Sequence, residues 1–600
     1  MPKKNKILEW AEEYIPLLPI IIAVMIIPNV VRIQYYDPGL SGYSWFPNEN
    51  NLMDMFMYWK NKAMMLLDVL LLAGYVYLAV KRQFSKERIF IPLGIYAFMI
   101  VVSTICSVAP HQTWNGFYGM LESVYAVFGY CLICYYTVSI IKSEKQLKIV
   151  MAALCAGVLV LTAIGISQFF KADFFMTDLG KDLLFPSIYE GFKDYMKLSF
   201  GEGRVYTTLY NPNYVGFYGC LLLPVFMVLT FLAKTKKQAV LCFVLESMIM
   251  VCVVGAGNKT AVLLFVPIMI FVALCFGKNY GKKVVITLVA TLLVFAACNM
   301  LQGEGALFGK VVDRLSQDSG RKKISSKLEM IHLNNEDFTM VYNGETLSVK
   351  YIHNQDGSWQ IEVKDENGTI IPSYINEEET GFCLKSEKFD GLVFVFGADE
   401  DINVGFSVTE GKQSYFIYYS EKDGTYYHTN TKGRRAKIFA SETFDSPLFD
   451  IMGGLSGRGY IWSKTVPILK ETLVIGSGPD TYAFMFPQYD YVSLYQGGYT
   501  KSLITKPHNM YLQMGIQTGV ISLVSFLIFY IAYFFESLKL YWQKKSSTCA
   551  NSCGAAIWIG SICYMMSAML NDSTIGVSIV YWTLLGLGFA CNRMVKNSEV

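Results

Sequence analysis

One histidine stands where a long polar segment gives way to an apolar one. Lys506-Pro507-His508-Asn509 closes the polar segment, and the residues from Met510 to about Phe535 are almost wholly apolar, long enough to span a bilayer. Pro507 has no backbone N–H and therefore suits the turn or first position before a helix. A histidine at such a boundary can exchange a proton near neutral pH, so His508 is a candidate general base. The alternative is a structural histidine that caps or anchors the helix.

Several cations are candidates to work with this base. They lie outside the acidic part of the polar segment, and they are Arg204, Lys259, Arg314, Arg458 and Lys506. Arginine binds phosphate oxygens through paired hydrogen bonds, and lysine acts as a point charge. Such cations would stabilise the negative charge that grows on a leaving diphosphate, while the base takes a proton from an attacking hydroxyl. The alternative for any one of them is a side chain that snorkels to lipid headgroups.

The composition indicates an integral membrane protein. Of the 600 residues 53% are hydrophobic and 16% are charged, well below the roughly 25% charged residues of soluble domains. The net charge of +3, without a basic aromatic patch, argues against a nucleic-acid partner. All fourteen cysteines except Cys383 lie in or beside apolar segments, and their spacing predicts neither a disulfide framework nor a metal site. We expect no cofactor.

Apolar runs predict a polytopic bundle of about twelve membrane helices. Their approximate ranges are 14–33, 62–80, 89–108, 117–141, 149–169, 212–233, 238–255, 260–276, 283–300, 510–535, 552–570 and 574–592. The first run has no small-residue cleavage site behind it and is interpreted as a retained helix rather than a signal peptide. The predicted units are helices one to nine in 1–300, a large loop in 301–509 and three helices in 510–600.

Lysines and arginines gather in alternate loops. They lie near both termini and in loops 81–88, 142–148, 234–237, 278–283 and 539–545. The other loops are 34–61, 109–116, 170–211, 255–260, 301–509 and 571–573, and the short ones among them are nearly free of such residues. The positive-inside rule then predicts a multi-pass protein of the cell (plasma or inner) membrane with both termini cytoplasmic and 301–509 extracytoplasmic. Since that side lacks nucleotides, an activated sugar would arrive attached to a lipid.

Part of the large loop has the pattern of a small β-domain. Between 329 and 447, short aromatic or β-branched runs are separated by turn signals such as Asn343-Gly344 and Asp423-Gly424, which predicts a β-sandwich or jelly roll. The region is acidic and therefore a poor site for a phosphate-bearing substrate. Trp359, Tyr418 and Tyr426 either bind sugar or fill the core of the sandwich. Residues 448–509 then lead to His508, and the run Gly476–Asp480 favours a tight turn over a phosphate cradle.

Several of these segments resemble the O-antigen ligase and polymerase family. The matching segments are Arg458–Trp462, Gly476–Asp480 with Phe486-Pro487, Lys506-Pro507-His508-Asn509 with Tyr511-Leu512-Gln513 and Gly519, Arg204 with Thr208-Leu209-Tyr210-Asn211-Pro212-Asn213, and Gly257-Asn258-Lys259-Thr260. The resemblance covers the twelve-helix plan and the large loop before the histidine. It leaves out 329–447, which we interpret as an insertion.

The resemblance implies a membrane glycosyltransferase of the GT-C type. Such enzymes move a glycan from undecaprenyl diphosphate to an acceptor hydroxyl of a glycan or glycolipid, without nucleotide or metal. It implies that His508 is the catalytic base and that Arg204 and Lys259 bind the diphosphate. We further expect Arg458 to help bind the diphosphate, and attack opposite the leaving group to invert the anomeric configuration. Lys259 replaces the family's usual arginine, and Met510 departs from the small polar residue of true ligases, so ligase and polymerase both stay open.

Two other classes of protein are alternatives. A polysaccharide-lipid flippase or transporter without transferase activity would explain the bundle, but it needs neither the large loop nor a histidine at its end, and the sequence has no inverted repeat of interrupted helices. A sensor or adhesion protein would explain the β-domain but needs only one or two spans.

Overall fold

The computed structural model describes residues 12–46, 51–197, 200–302, 326–376, 381–499 and 502–599. Arg314 lies outside these ranges. Within them the chain is mainly helical, and ten helices are long and apolar enough to cross a membrane. They are α1 Glu12–Asn29, α2 Tyr58–Lys81, α3 Arg88–Ile105, α6 Glu144–Phe169, α8 Pro212–Leu232, α9 Lys236–Ala256, α10 Lys259–Gln302, α16 Val520–Tyr541, α17 Cys549–Ser567 and α18 Ile575–Ser598. The remaining helices are α4 Pro110–Asn115, α5 Val124–Ile140, α7 Asp178–Leu184, α11 Pro447–Ser456, α12 Arg458–Ile468, α13 Tyr482–Met485, α14 Tyr491–Gln496 and α15 Met510–Gln517.

The twelve predicted spans map onto these helices with two differences in count. The predicted spans 260–276 and 283–300 both fall in α10, a 44-residue element whose backbone departs from helical geometry at Tyr280. The predicted span 117–141 corresponds to α5, a shorter apolar helix. The multi-pass membrane fold is therefore confirmed, and the number of crossings stays a prediction.

The predicted continuous helix 510–535 is wrong, because the helix breaks at Gly519. The residue has φ +96°, and a Cβ there would lie 2.5 Å from the carbonyl oxygen of Val474. The segment 472–478 replaces the helical hydrogen bonds that the break removes. The N–H groups of Ser477 and Gly478 donate to the carbonyls of Ile516 and Gln517, at the end of α15, over 2.9 Å each. The N–H of Val520, at the start of α16, donates to the carbonyl of Thr472 over 3.1 Å. Glycine is needed here both for its dihedral angles and for the close approach of a second backbone.

The distribution of lysine and arginine divides the loops into two sets, and loops of the same set contact each other. In the group predicted to face outward, the amide of Gln112 donates to the carbonyl of Pro38 over 3.1 Å. In the basic group, Lys234 Nζ donates to the carbonyl of Ser547 over 2.9 Å. Which group faces the cytoplasm stays a prediction.

The β-rich region contains two antiparallel sheets. One has the order β3-β4-β5-β6 and the other β13-β12-β11-β10-β9-β8-β7. The strands are β3 Leu328–Leu333, β4 Phe338–Tyr342, β5 Glu345–His353, β6 Trp359–Lys364, β7 Ser373–Ile375, β8 Phe382–Leu384, β9 Leu392–Ala398, β10 Val404–Glu410, β11 Gln413–Ser420, β12 Thr425–Thr429 and β13 Arg435–Ala436. A separate hairpin pairs β1 Gln34–Tyr36 with β2 Leu52–Asp54. Since the described strands of each sheet follow one another in chain order, both sheets are meanders rather than parts of a jelly roll.

The two sheets share one hydrophobic core, as in a sandwich. The rings of Tyr351 on β5 and Phe406 on β10 lie 4.7 Å apart between centroids. Tyr426 belongs to this core, and Trp359 packs against it while its ring stacks on His353 at 4.4 Å. Tyr418 is also buried, but its ring contacts Phe416 and Tyr427 on the other face of the sheet. Val492 on α14 belongs to the same core, so the segment after the sandwich helps to close it.

Candidate active site around His508

His508 is paired with a buried carboxylate from a distant loop. Its Nδ1 lies 2.9 Å from Oδ2 of Asp572, and the side chains are 36% and 1% exposed, respectively. His508 has a left-handed backbone with φ +54°. Asn509, not His508, caps α15, because its Oδ1 accepts from the N–H groups of Tyr511 and Leu512. The imidazole is therefore not used for capping.

The loop that holds His508 is fixed on both sides. The indole N–H of Trp462 donates to the carbonyl of Pro507 over 2.9 Å. The N–H of Met510 donates to the carbonyl of Ala568 over 2.9 Å. These contacts join α12 and the loop after α17 to the histidine, so the imidazole is presented from a constrained backbone.

Three neighbouring side chains keep Asp572 ionised. Burial alone would raise the pKa of this carboxyl, but His508, Lys506 and Arg458 together hold that pKa below its ordinary value. Among the described residues its other oxygen, Oδ1, accepts no hydrogen bond. Asp572 is thus an anion in contact with the histidine, which is the arrangement that orients an imidazole and stabilises its protonated form.

Arg458 and Lys506 lie near this pair. Arg458 is the first residue of α12; its burial lowers the pKa of the guanidinium, which Asp572 raises in part. Lys506 Nζ lies 2.8 Å from Met120 Sδ, donates to the hydroxyl of Tyr214 and sits 4.9 Å from the centre of that ring. Tyr214 belongs to the first turn of α8.

Arg204 lies against the loop that carries Lys259. A Cβ added to Gly257 would be 3.0 Å from Nη1 of Arg204, and Val205 N–H donates to the carbonyl of Gly255 over 3.2 Å. Gly257 ends α9 with φ +66°, Asn258 Oδ1 accepts from the N–H of Ala261, and Lys259 begins α10. Arg204 therefore lies against the loop in which Lys259 follows Gly257 by two residues.

The start of α8 links the two groups of residues. Asn258 Nδ2 contacts Asn213 Oδ1 at 3.3 Å. Gly216 packs against Asn258, because a Cβ added to Gly216 would lie 2.2 Å from Asn258 Cγ. Tyr214, between them, contacts Lys506. The positive end of this helix thus lies between the loop of Lys259 and the segment of His508.

Two further buried carboxylates brace the site. Glu122 accepts from Tyr130 at 2.7 Å and Ser573 at 2.6 Å through Oε1, and from Gln513 at 3.1 Å through Oε2. Asp480 Oδ2 accepts from the N–H groups of Phe117 at 2.5 Å and Glu122 at 2.9 Å. Burial raises the pKa of each carboxyl to about 7. Gly476–Asp480 is therefore a packed turn, as predicted, and not a phosphate cradle.

Asp572, Glu122 and Asp480 were not among the predicted site residues. Asp572 lies in the short loop 571–573, and Glu122 lies inside the predicted span 117–141. An ionisable residue inside an apolar span, or in a loop of a few residues between two spans, is a functional candidate by default. The signal for Asp572 and Glu122 was therefore present in the sequence.

Ten long apolar helices and the contact of His508 with Asp572 together define a multi-pass membrane protein with a histidine–carboxylate site at the end of a large polar segment. The O-antigen ligase family model matches residues 404–527, which confirms the family resemblance and supports a role in cell-surface polysaccharide assembly of that type. The match includes Arg458 and His508 and begins inside β10, so it extends into the sandwich. No curated protein and no solved structure matches the chain significantly.

Proposed function

We propose that the protein transfers a glycan from an undecaprenyl-diphosphate-linked donor to a hydroxyl of a glycan or glycolipid acceptor, at the outer face of the cell membrane. The single observation that carries the proposal is the pairing of His508 with Asp572, at 2.9 Å. His508 lies inside the segment that matches the O-antigen ligase model. Both the ligase and the polymerase reaction fit this chemistry, since they differ in the acceptor.

His508 acts as the general base in this proposal. When Nδ1–H donates to Asp572, Nε2 is the nitrogen left to accept a proton. The acceptor hydroxyl loses its proton to Nε2 as its oxygen bonds to the anomeric carbon, and the buried carboxylate stabilises the imidazolium that forms. The imidazole then returns the proton to solvent. Its 36% exposure leaves room for this contact.

The cations act on the leaving group. The bond from the anomeric carbon to the diphosphate oxygen breaks with its electron pair on the diphosphate, so negative charge grows there. Arg204 and Lys259 would hold the diphosphate, with Arg458 helping, and the positive end of α8 adds to their field. If His508 lies on the opposite face of the sugar, the acceptor attacks from behind and the configuration inverts.

Replacement of the base tests the proposal directly. In a purified system with lipid-linked donor and acceptor, His508→Ala should lower turnover by roughly two to four orders of magnitude, the usual contribution of a positioned base. Donor binding should change little. His353→Ala is the matched control, since His353 is an exposed histidine of the sandwich. Near-normal transfer by folded His508→Ala would remove His508 as the base, and donor flipping without any transfer would indicate a transporter instead.

Variants of the residues proposed to bind the diphosphate should affect donor binding as well as turnover. Arg204→Ala should weaken both donor binding and turnover, because a phosphate contact exists before and during bond breaking. Lys259→Arg should keep activity or raise it slightly, whereas Lys259→Glu should abolish it by repelling the diphosphate. Donor affinity measured separately from turnover checks this pattern, and equal donor binding by Lys259→Glu and wild type would contradict the assignment.

A further inference from the structure

A cleft separate from His508 lies where the sandwich meets the rest of the protein. It has a volume of about 750 Å³ and lies between residues 44–45, the strands β11 and β12 with the turn after them, residues 488–499 and residues 502–503. Aromatic side chains contribute much of its wall, namely Trp45, Tyr415, Phe416, Tyr491, Tyr495 and Tyr499. Neither the predicted site residues nor the proposed reaction uses this cleft.

Hydrogen bonds fix the relative positions of the walls. Asn430 Nδ2 donates to the carbonyl of Ser44 over 2.9 Å. Arg434 Nη1 lies 3.4 Å from each of the carbonyl oxygens of Ser41, Tyr43 and Phe46. On the other side, Val492 belongs to the core of the sandwich. The cleft is therefore a built feature of the fold rather than a gap between loosely placed parts.

The lining has the chemistry that recognises sugars. Aromatic rings offer flat apolar faces for the C–H faces of pyranose rings. The side-chain hydroxyls of Ser414, Thr431 and Ser502 also line the cleft, are exposed, and can donate to and accept from sugar hydroxyl groups. Ligand sites in general combine an aromatic wall with a few polar groups in this way.

The charge of the cleft differs from that of the sandwich around it. Residues 329–447 have roughly twice as many acidic as basic residues. Nevertheless, the described residues that line the cleft include Lys412 and Lys432 and not one carboxylate. Both lysines are exposed. This pattern favours a glycan with negatively charged sugar units.

The cleft also leads toward the histidine. Leu503 lines it and precedes His508 by five residues, a distance of at most about 18 Å for an extended chain. Gln488 braces this connection, because its Nε2 donates to the carbonyl of Ile504 over 2.6 Å. At the other wall, the ring of Tyr499 stacks on Tyr460 at 5.4 Å, and its hydroxyl donates to the carbonyl of Gly457, next to Arg458, over 2.7 Å.

We propose that this cleft binds an anionic glycan chain, through sugar units that follow the one reacting at His508. The identity of the chain as the enzyme's own substrate rests on the proposed function; the binding itself does not. A bound chain would hold the substrate in register with His508, so the cleft would favour long chains over short ones.

Binding without transfer is the first test. Full-length purified protein is titrated with size-fractionated fragments of the host cell's surface polysaccharide, freed of lipid. Tyr495→Ala should weaken binding of long fragments by tenfold or more, and Lys412→Gln combined with Lys432→Gln should weaken it through lost charge. Tyr374→Ala, on β7 and 45% exposed, is the matched control and should bind as wild type does. Dextran sulfate of matched length should bind weakly and be indifferent to Tyr495→Ala.

The outcomes separate this inference from the proposed function. Normal binding by Tyr495→Ala and by the lysine double variant, or equal binding of dextran sulfate, would overturn the glycan cleft. His508→Ala should retain the binding while it loses transfer. Binding by a protein that never transfers glycan would keep the cleft and reject the transferase. If Tyr495→Ala raises KM for long acceptors alone, the acceptor supplies the bound chain. If it raises KM for long donors alone, the donor supplies it.

Discussion

At the scale of single residues, Asp572 is expected to act through His508 rather than on the substrate. Asp572→Asn keeps the size of the side chain but removes its charge, so the imidazolium of the transition state loses its partner. A hydrogen bond to a charged group contributes about 1.5–3 kcal/mol, so kcat should fall roughly 10- to 150-fold. KM for the donor should stay nearly constant, which steady-state kinetics can measure.

The control for this prediction is Asp401→Asn, a change at an exposed aspartate of the sandwich, which should have wild-type kinetics. An equal fall of kcat in both variants would show a general loss of folded protein. A rise in donor KM on Asp572→Asn would instead place Asp572 in the donor site.

The sequence contains the parts of this site but not their pairing. His508, Arg204, Lys259 and Arg458 stand out by type and position. Asp572 is 64 residues from His508 in the chain, and Asp480 is 363 residues from Phe117, whose N–H it accepts. No local pattern encodes which carboxylate meets which donor, because the partners are chosen by the packing of several helices.

At the scale of elements, Gly519 combines a left-handed backbone with close approach of a second backbone segment. Gly519→Ala would force φ +96° on a residue with a Cβ 2.5 Å from a carbonyl oxygen. Strain of this kind costs on the order of 1–3 kcal/mol, so the unfolding temperature in detergent should fall and activity should fall with it. Gly277→Ala, in α10 with open space around the added Cβ, should be neutral or slightly stabilising.

This break also shows where sequence reasoning about elements ends. Hydropathy shows that 510–535 is apolar, but two short helices and one long helix have the same hydropathy. The break depends on the backbone of 474–478 lying against it, which is a tertiary contact. In the sandwich, the sequence pattern predicts seven strands, at 338–343, 346–352, 358–364, 369–375, 392–396, 413–419 and 425–429. It misses β3, β8, β10 and the two-residue β13. Alternation is visible in β10 as Val404, Phe406 and Val408, whereas β8 has only three residues.

At the scale of the whole molecule, orientation is the property to test. Gln355→Cys on the sandwich and Lys237→Cys in a basic loop are both exposed positions, studied in a background with Cys106, Cys383 and Cys549 replaced by serine. An impermeant maleimide should label position 355 in intact cells and position 237 only after lysis, because basic loops are retained in the cytoplasm. The reverse labelling pattern would show the opposite orientation in the membrane, with His508 on the cytoplasmic side.

The interruption at Gly519 has a mechanical consequence for a protein in a fluid bilayer. In a continuous helix, a tilt or rotation of the part in the bilayer would also move His508. A shift of the helix by one residue would rotate the position of His508 by about 100°. The backbone of 474–478 holds α15, so we expect a tilt of α16 in a thicker or thinner membrane to move His508 less than it would through a continuous helix. Transfer rates measured in bilayers of different thickness should then differ little.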